Sequence, residues 1–471
     1  MSAPALLAEL VGPVVRDLAR RSGKDLSRWL EQVHRLGGCT EPVRLVGESM
    51  TLDAVTGQVL SSYSTAGEPH GQLLVRCGNR RASRCPSCAE VYRADTYQLI
   101  RAGLLGGKGV PEDVRTHPRV FATLTAPSFG PVHRGPDKDG HSRPCHPRRS
   151  GPACFQRHRA DDERLGQPLD PDSYDYIGHV LWNAHAGELW RRFTIYLRRH
   201  LAGAAGMTQA AFNRAVRVSF AKVAEYQARG VVHFHAVIRM DGRPIDDPDT
   251  DVHGADTPAA DMPPPPEWAS VELLDAAIRS AAATVHLDAP DLGQPTQKLT
   301  WGRQVDVKAI ETGELDGQLS EQAVAAYIAK YATKAAESSG TLDRRINATD
   351  LSRLHQHGAT QHAARLIRTA WTLGNPEVHP DQAPLRLRQW AHMLGFRGHF
   401  STRSRAYATT LGALRQQRID YRRAQHSVED WTPEPGSTLV LAHWSFAGQG
   451  YTSGESMLAS SLSDQPRQNG P

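Results

Sequence analysis

Cysteine is scarce in this chain, six among 471 residues, too few for a scaffold held by disulfides. Three of the six crowd into CGNRRASRCPSC, residues 77–88, which favours metal binding over oxidation and suits a reducing cytoplasm. Long apolar runs are missing too: nothing approaches the roughly 18–20 residues that a membrane span needs. The opening MSAPALLAELVGPVVRDLARR has the pattern of an amphipathic helix and lacks a signal-peptide layout, so a soluble, cytoplasmic protein is the expectation. No complete Walker A loop occurs, because GGKGVPEDV wants both the first glycine and the Ser/Thr. There is no internal repeat. What remains, 39% hydrophobic residues over this length, can fill the cores of two or three domains.

The net charge of +5 says little until the charge is located. Residues 133–159 hold seven Lys or Arg against two Asp, and residues 386–423 hold nine Arg against one acid. Both are candidate phosphate-binding surfaces, with solvated helical faces as the plainer reading. In the second, Trp390, Phe396, Phe400, Tyr407 and Tyr421 interleave with the arginines, as a surface that stacks bases requires.

The stretch GVVHFHAVIRMDG, residues 230–242, places His233 and His235 two apart in a β-branched, apolar run, so both imidazoles share one face of a strand. Upstream, VRVSFAKVAEYQ reads as a second strand, and the ARG turn between them closes a hairpin that sets Glu225 beside the histidines. Two imidazoles and a carboxylate suit Mn²⁺, Mg²⁺ or Zn²⁺ and a hard oxygen substrate such as a phosphodiester. Ordinary core histidines are the alternative, and Gln227 is a reserve ligand. Further on, LSEQAVAAYIAKYATKAAE is clearly helical. Tyr327 and Tyr331 then sit one turn apart on one face, with Lys330 and Lys334 nearby. They are either core tyrosines or phenols whose reaction with a phosphodiester the ammonium groups assist.

A His-hydrophobic-His strand followed by a YxxKYxxK helix resembles the HUH endonucleases, specifically the rolling-circle replication initiators of actinobacterial, Streptomyces-type plasmids and integrative elements. FATLTAPSFGPVH, AGLLGGKGVP, YDYIGHVLWN and HMLGFRGHFSTRSRAY extend the resemblance over roughly residues 35–450. It implies an α+β fold: an HUH-type nicking domain with a central antiparallel sheet and packed helices, flanked by a cysteine-rich region and a mostly helical C-terminal region. It further implies a nick at the double-strand origin of plasmid DNA, a 5′-phosphotyrosine and a free 3′-hydroxyl primer. His233, His235 and Glu225 would hold Mn²⁺ or Mg²⁺, Tyr331 would attack first, and Tyr327 would serve termination. Lys330 and, more weakly, Lys334 would orient the phosphate or the metal. With no Walker A loop, unwinding would fall to a host helicase or to supercoiling. An HUH transposase or relaxase, a metallohydrolase with a water nucleophile and a non-catalytic, zinc-dependent DNA-binding regulator are the competing readings.

Cys39, Cys77, Cys85 and Cys88 form a possible four-thiolate set for structural Zn²⁺, against free buried thiols. Cys145, Cys154 and His158 lack a fourth ligand. The related initiators often carry cysteines where this chain reads LDPDSYDY, so Asp170 is the substitute available there and Ser173 departs from the pattern. The expected layout is an N-terminal helix over 1–36, a cysteine-rich zinc region over 37–110 and a nicking domain over 111–340. That domain carries the basic loop 133–159 and a disordered insertion at 243–267. A basic, mostly helical DNA-binding region follows over 341–452, with a flexible tail over 453–471.

Overall fold

Alternating apolar and polar side chains along RVFATL form strand β1 (Arg119–Leu124), and two longer runs form β2 (Val216–Tyr226) and β3 (Val232–Gly242). With β4 (Val305–Ala309) and β5 (Ser401–Arg403) they make one antiparallel sheet in the order β5-β2-β3-β1-β4. The fold is α+β. The computed structural model describes residues 24–137, 139–243, 262–311, 320–333, 340–342, 344–426 and 437–463. They group into two units, one from Thr96 to Leu414 and the other combining the chain up to Asp95 with the chain from Arg415 on.

In the Thr96–Leu414 unit the two faces of the sheet do different work. Val120, Ala122 and Leu124 of β1 with Phe234, Ala236 and Ile238 of β3 are fully buried against helix α1 (Tyr176–Ala204), whose Trp190 meets Phe220 and Phe234 edge-on. Helices α2 (Val271–Thr284), α3 (Glu321–Ala332) and α4 (Gln361–Leu373) belong to the same unit. The opposite face carries Arg119, Phe121 and Thr123 of β1, Glu225 of β2, and His233, His235 and Arg239 of β3.

Lys222 breaks the apolar pattern of the core face. It is 4% exposed, with Nζ 4.0 Å from the centre of the Phe234 ring and 5.7 Å from that of Trp190. Burial lowers its ammonium to about 7. The folded chain therefore releases a proton near neutrality that the unfolded chain holds until about pH 10. Between those values the unfolded state binds more protons, so Lys222 makes stability rise with pH. Thermal unfolding of Lys222→Met from pH 7 to 9 is expected to lack that slope, and a wild-type slope in the variant would refute the assignment.

Several expectations need correction. Of the aromatics in 386–423, Phe396, Phe400 and Tyr407 are buried in the core, as the aromatic hydrogen-bonding and packing partners of Tyr226 and Ile100 show; only Tyr421 is exposed as a stacking surface would need. Within 341–452, residues to Leu414 belong to the unit that holds the β5-β2-β3-β1-β4 sheet, and Thr438–Gln449 is a long strand. That strand pairs antiparallel with Val43–Asp53, which also pairs with Val59–Ser64 and Leu73–Val75, so the cysteine-rich region contains a sheet completed from the far end of the chain. The tail is helical over Ser453–Ser463, because Thr452 and Glu455 cap each other's backbone N–H and Ala459 packs on Trp29 and Val33. Residues 298–310 form two strands: Lys298–Thr300 pairs with His286–Asp288, β4 pairs with β1, and between them the Gly302 N–H donates to the Thr125 carbonyl. Of the N-terminal helix, Lys24–Leu36 is described. Most of the 243–267 insertion lies outside the described residues, although the Pro263 carbonyl accepts from the Gly242 N–H and Met262 is buried.

Candidate metal and tyrosine site

The β2–β3 register builds the site. Glu225 faces His233 directly across the hairpin, and Val223 faces His235, so the carboxylate and both imidazoles emerge on one face. The turn that sets this register closes with the Gln227 N–H on the Val231 carbonyl and the Gly230 N–H on the Gln227 carbonyl. Gly230 has φ +82°, a left-handed backbone that favours glycine, and a Cβ there would push the Leu394 side chain aside.

His233 Nε2 lies 3.0 Å and His235 Nε2 3.1 Å from the same oxygen, Glu225 Oε2. The three ligand atoms fall within 4.8 Å of one another, as donors to one divalent ion must. The other nitrogen of His235, Nδ1, is 3.0 Å from Thr123 Oγ1, which leaves Nε2 turned into the site. Phe121 stacks on the His235 ring at 5.6 Å and 3°. Burial raises the Glu225 carboxyl, but hydrogen bonds from His233 and His235 outweigh it and bring it to about 2. Burial lowers His235, which is therefore neutral at physiological pH. A carboxylate and a neutral imidazole are the forms that bind metal. Gln227 is not part of the set: its Oε1 accepts from Arg229 Nε at 2.9 Å.

Helix α3 starts where Ser320 caps the Ala323 N–H, and it brings both tyrosines beside His235. Tyr327 Oη is 3.2 Å from His235 Nε2, the two tyrosine rings are 4.5 Å apart, and the Tyr331 ring is 5.9 Å from that of His235. Burial and the Glu225 charge raise both phenols, so neither ionises unaided at neutral pH. Lys330 is exposed, with Nζ 5.7 Å from the Tyr331 ring centre. Lys334 lies outside the described residues. The N-terminal end of α3 is fixed by Glu321, which accepts from Arg119 Nη2 at 2.6 Å with both side chains buried. Thr123, Phe121 and this ion pair were missed by reading the sequence, although the alternation along RVFATLT puts all three β1 side chains on one face.

In the other unit, the sulfurs of Cys39, Cys77, Cys85 and Cys88 lie within 4.8 Å of one another, and Cys39, Cys85 and Cys88 are buried. Backbone N–H groups point at two of them, Cys77 N–H at Cys39 Sγ and Asn79 N–H at Cys77 Sγ, each at 3.4 Å. Against burial, bonds from Thr40 and Cys88 lower the Cys85 thiol toward the thiolate that a metal takes, while burial raises those of Cys39 and Cys77. This donor set fits one tetrahedral zinc ion. The second cysteine set assembles differently from expectation. Asp170 lies outside it, its Oδ1 accepting from the Asp172 N–H, and His133 joins Cys145, Cys154 and His158 instead.

Among the described residues no helix is long and apolar enough to cross a membrane. Residues 25–464 match the model of the RepSA family, "Replication initiator protein, pSAM2". A "Replication initiator protein" of Streptomyces ambofaciens is 49% identical over 457 residues, which cover 95% of this chain and 92% of that protein. No solved structure matches.

Proposed function

Because the chain belongs to the RepSA family of replication initiator proteins, we propose that it starts rolling-circle replication of plasmid DNA by nicking one strand with a tyrosine, as an HUH-type endonuclease. The observation that carries this reading is the meeting of α3 with the sheet: two phenols side by side against a Glu-His-His set, with Tyr327 Oη 3.2 Å from His235 Nε2.

Glu225, His233 and His235 would hold Mn²⁺ or Mg²⁺, which when bound supplies positive charge to a non-bridging phosphate oxygen. Tyr331 is the less buried phenol of the pair and attacks first. Its oxygen bonds to phosphorus as the bond to the 3′ oxygen breaks. The phenol loses its proton and the 3′ oxygen gains one, leaving a 3′-hydroxyl primer and a 5′-phosphotyrosine. Lys330 steers the phosphate by charge, and Tyr327 accepts the strand in the terminating transfer. The phosphodiester bond energy is kept in the adduct, which suits rejoining. Unwinding ahead of the new strand falls to a host helicase.

The test is covalent capture with Mn²⁺ and single-stranded fragments tiled across the encoding replicon. Detergent-resistant adducts on one fragment are expected. His235→Ala, and chelation of the divalent ion, should each lower adduct yield by about 10²-fold or more, reversed for the chelated protein by added Mn²⁺. Tight duplex binding without an adduct on any fragment would instead mark a non-catalytic regulator.

A further inference from the structure

Between β1 and α1 the described residues of 125–175 contain no helix and no strand, only the bridges Val132–Pro168 and His146–Cys154. A stretch of this length without regular structure needs some other source of order. Its interior is polar: His133 Nδ1 is 3.0 Å from His158 Nε2 and 3.8 Å from Cys145 Sγ, and Cys154 Sγ is 3.5 Å from His158 Nε2. All four ligand atoms lie within 4.8 Å of one another. Bond lengths of about 2.0–2.3 Å around tetrahedral zinc give separations of roughly 3.3–3.8 Å, close to these.

The surroundings supply what such a site needs. Asp162 Oδ2 accepts from His158 Nδ1 at 2.7 Å, so Nε2 carries its lone pair into the cluster, and Arg164 holds that carboxylate through Nε and Nη2. The Arg134 N–H points at Cys145 Sγ at 3.2 Å. His146 also approaches Cys145 Sγ, at 3.2 Å, but stands outside the four-residue set.

The loop rests on the β2–β3 turn where Gly166 meets Ala228, and beside that contact lies a cavity of about 660 Å³, lined on the loop side by His133, Arg134, His146 and Arg148 and on the turn side by Gln227 and Arg229. The same turn joins the strands that carry Glu225 and His233.

We propose that His133, Cys145, Cys154 and His158 bind a structural zinc ion that fixes the arginine-bearing loop as one wall of a groove for single-stranded DNA beside the Glu225–His233–His235 set. The groove's occupant rests on the nicking reading; the zinc does not. The ion closes the 26-residue span from His133 to His158, as a disulfide would in an oxidising compartment, and gives Arg148 a fixed place from which to meet backbone phosphate.

Metal content of the purified full chain tests the site. Wild type should carry one more zinc per chain than His133→Ala or Cys154→Ser, with no further loss when the two are combined; Asp170→Ala and His146→Ala should keep the full count. Cobalt exchanged into wild type should show ligand-field bands of an S₂N₂ site, which needs no variant to fold. Equal zinc in wild type and Cys154→Ser, or no such bands, would overturn the site. For the groove, Arg148→Ala should keep its zinc, weaken binding to single strands of any sequence and lower the salt slope by about one. Unchanged binding would overturn the wall. Neither metal readout depends on whether an adduct forms.

Discussion

Tyr331→Phe is expected to abolish the covalent protein–DNA adduct, with a fall of roughly 10³-fold or more, because phenylalanine keeps the ring and loses the only atom that can bond to phosphorus. Packing should survive, since the 4.5 Å contact with Tyr327 is made by the rings. Tyr327→Phe should behave differently. Its hydroxyl sits on His235 Nε2, and its removal should leave the first cleavage largely intact while the later joining step fails. Mass spectrometry of the adduct reads this out directly. An adduct that persists in Tyr331→Phe and disappears in Tyr327→Phe would reverse the order of the two phenols. Persistence in both single variants but loss in the double variant would mean that each can begin the cycle.

The second large effect is structural. In Glu321→Ala the Arg119 guanidinium, 2% exposed, loses its carboxylate and keeps carbonyl acceptors at Leu104, Val114 and Ile310. Leaving one member of a buried pair uncompensated costs about 3–5 kcal/mol, a large share of the roughly 5–15 kcal/mol that holds a domain. Denaturant unfolding should show that loss, with Glu321→Gln less affected because the amide oxygen can still accept. The same pair ties the first turn of α3 to β1, two and four residues along from Phe121 and Thr123. Adduct yield should therefore drop in Glu321→Ala even at temperatures where the variant remains folded. Full stability in Glu321→Ala would show that the pair contributes nothing.

The hairpin, and the meeting of Glu225, His233 and His235 on one of its faces, were legible in the sequence, since a period of two and a Gly-containing turn leave little choice of register. The same holds for the tyrosine helix, where spacing alone sets residues 327 and 331 side by side. What escaped was whatever depends on long-range pairing. Phe396, Phe400 and Tyr407 sit among arginines, and composition cannot tell an aromatic that stacks on a base from one that fills a core. Nor does local sequence announce that Thr438–Gln449 will seek Val43–Asp53. Asp170 was chosen as a fourth ligand by position within a motif, whereas the loop folds back to bring His133, twelve residues before Cys145, into that place.

The pairing of Val43 with Gln449 separates its two strands by 406 residues. At about 5–20 residues per second, a ribosome needs roughly 20–80 s between making the first strand and making its partner. Through that interval the nascent chain carries an open sheet edge along Val43–Asp53, and Trp29 and Val33 await Ala459. A chain broken off early would keep this sticky edge for good. Closing that edge thus waits on Thr438–Gln449, the last strand among the described residues.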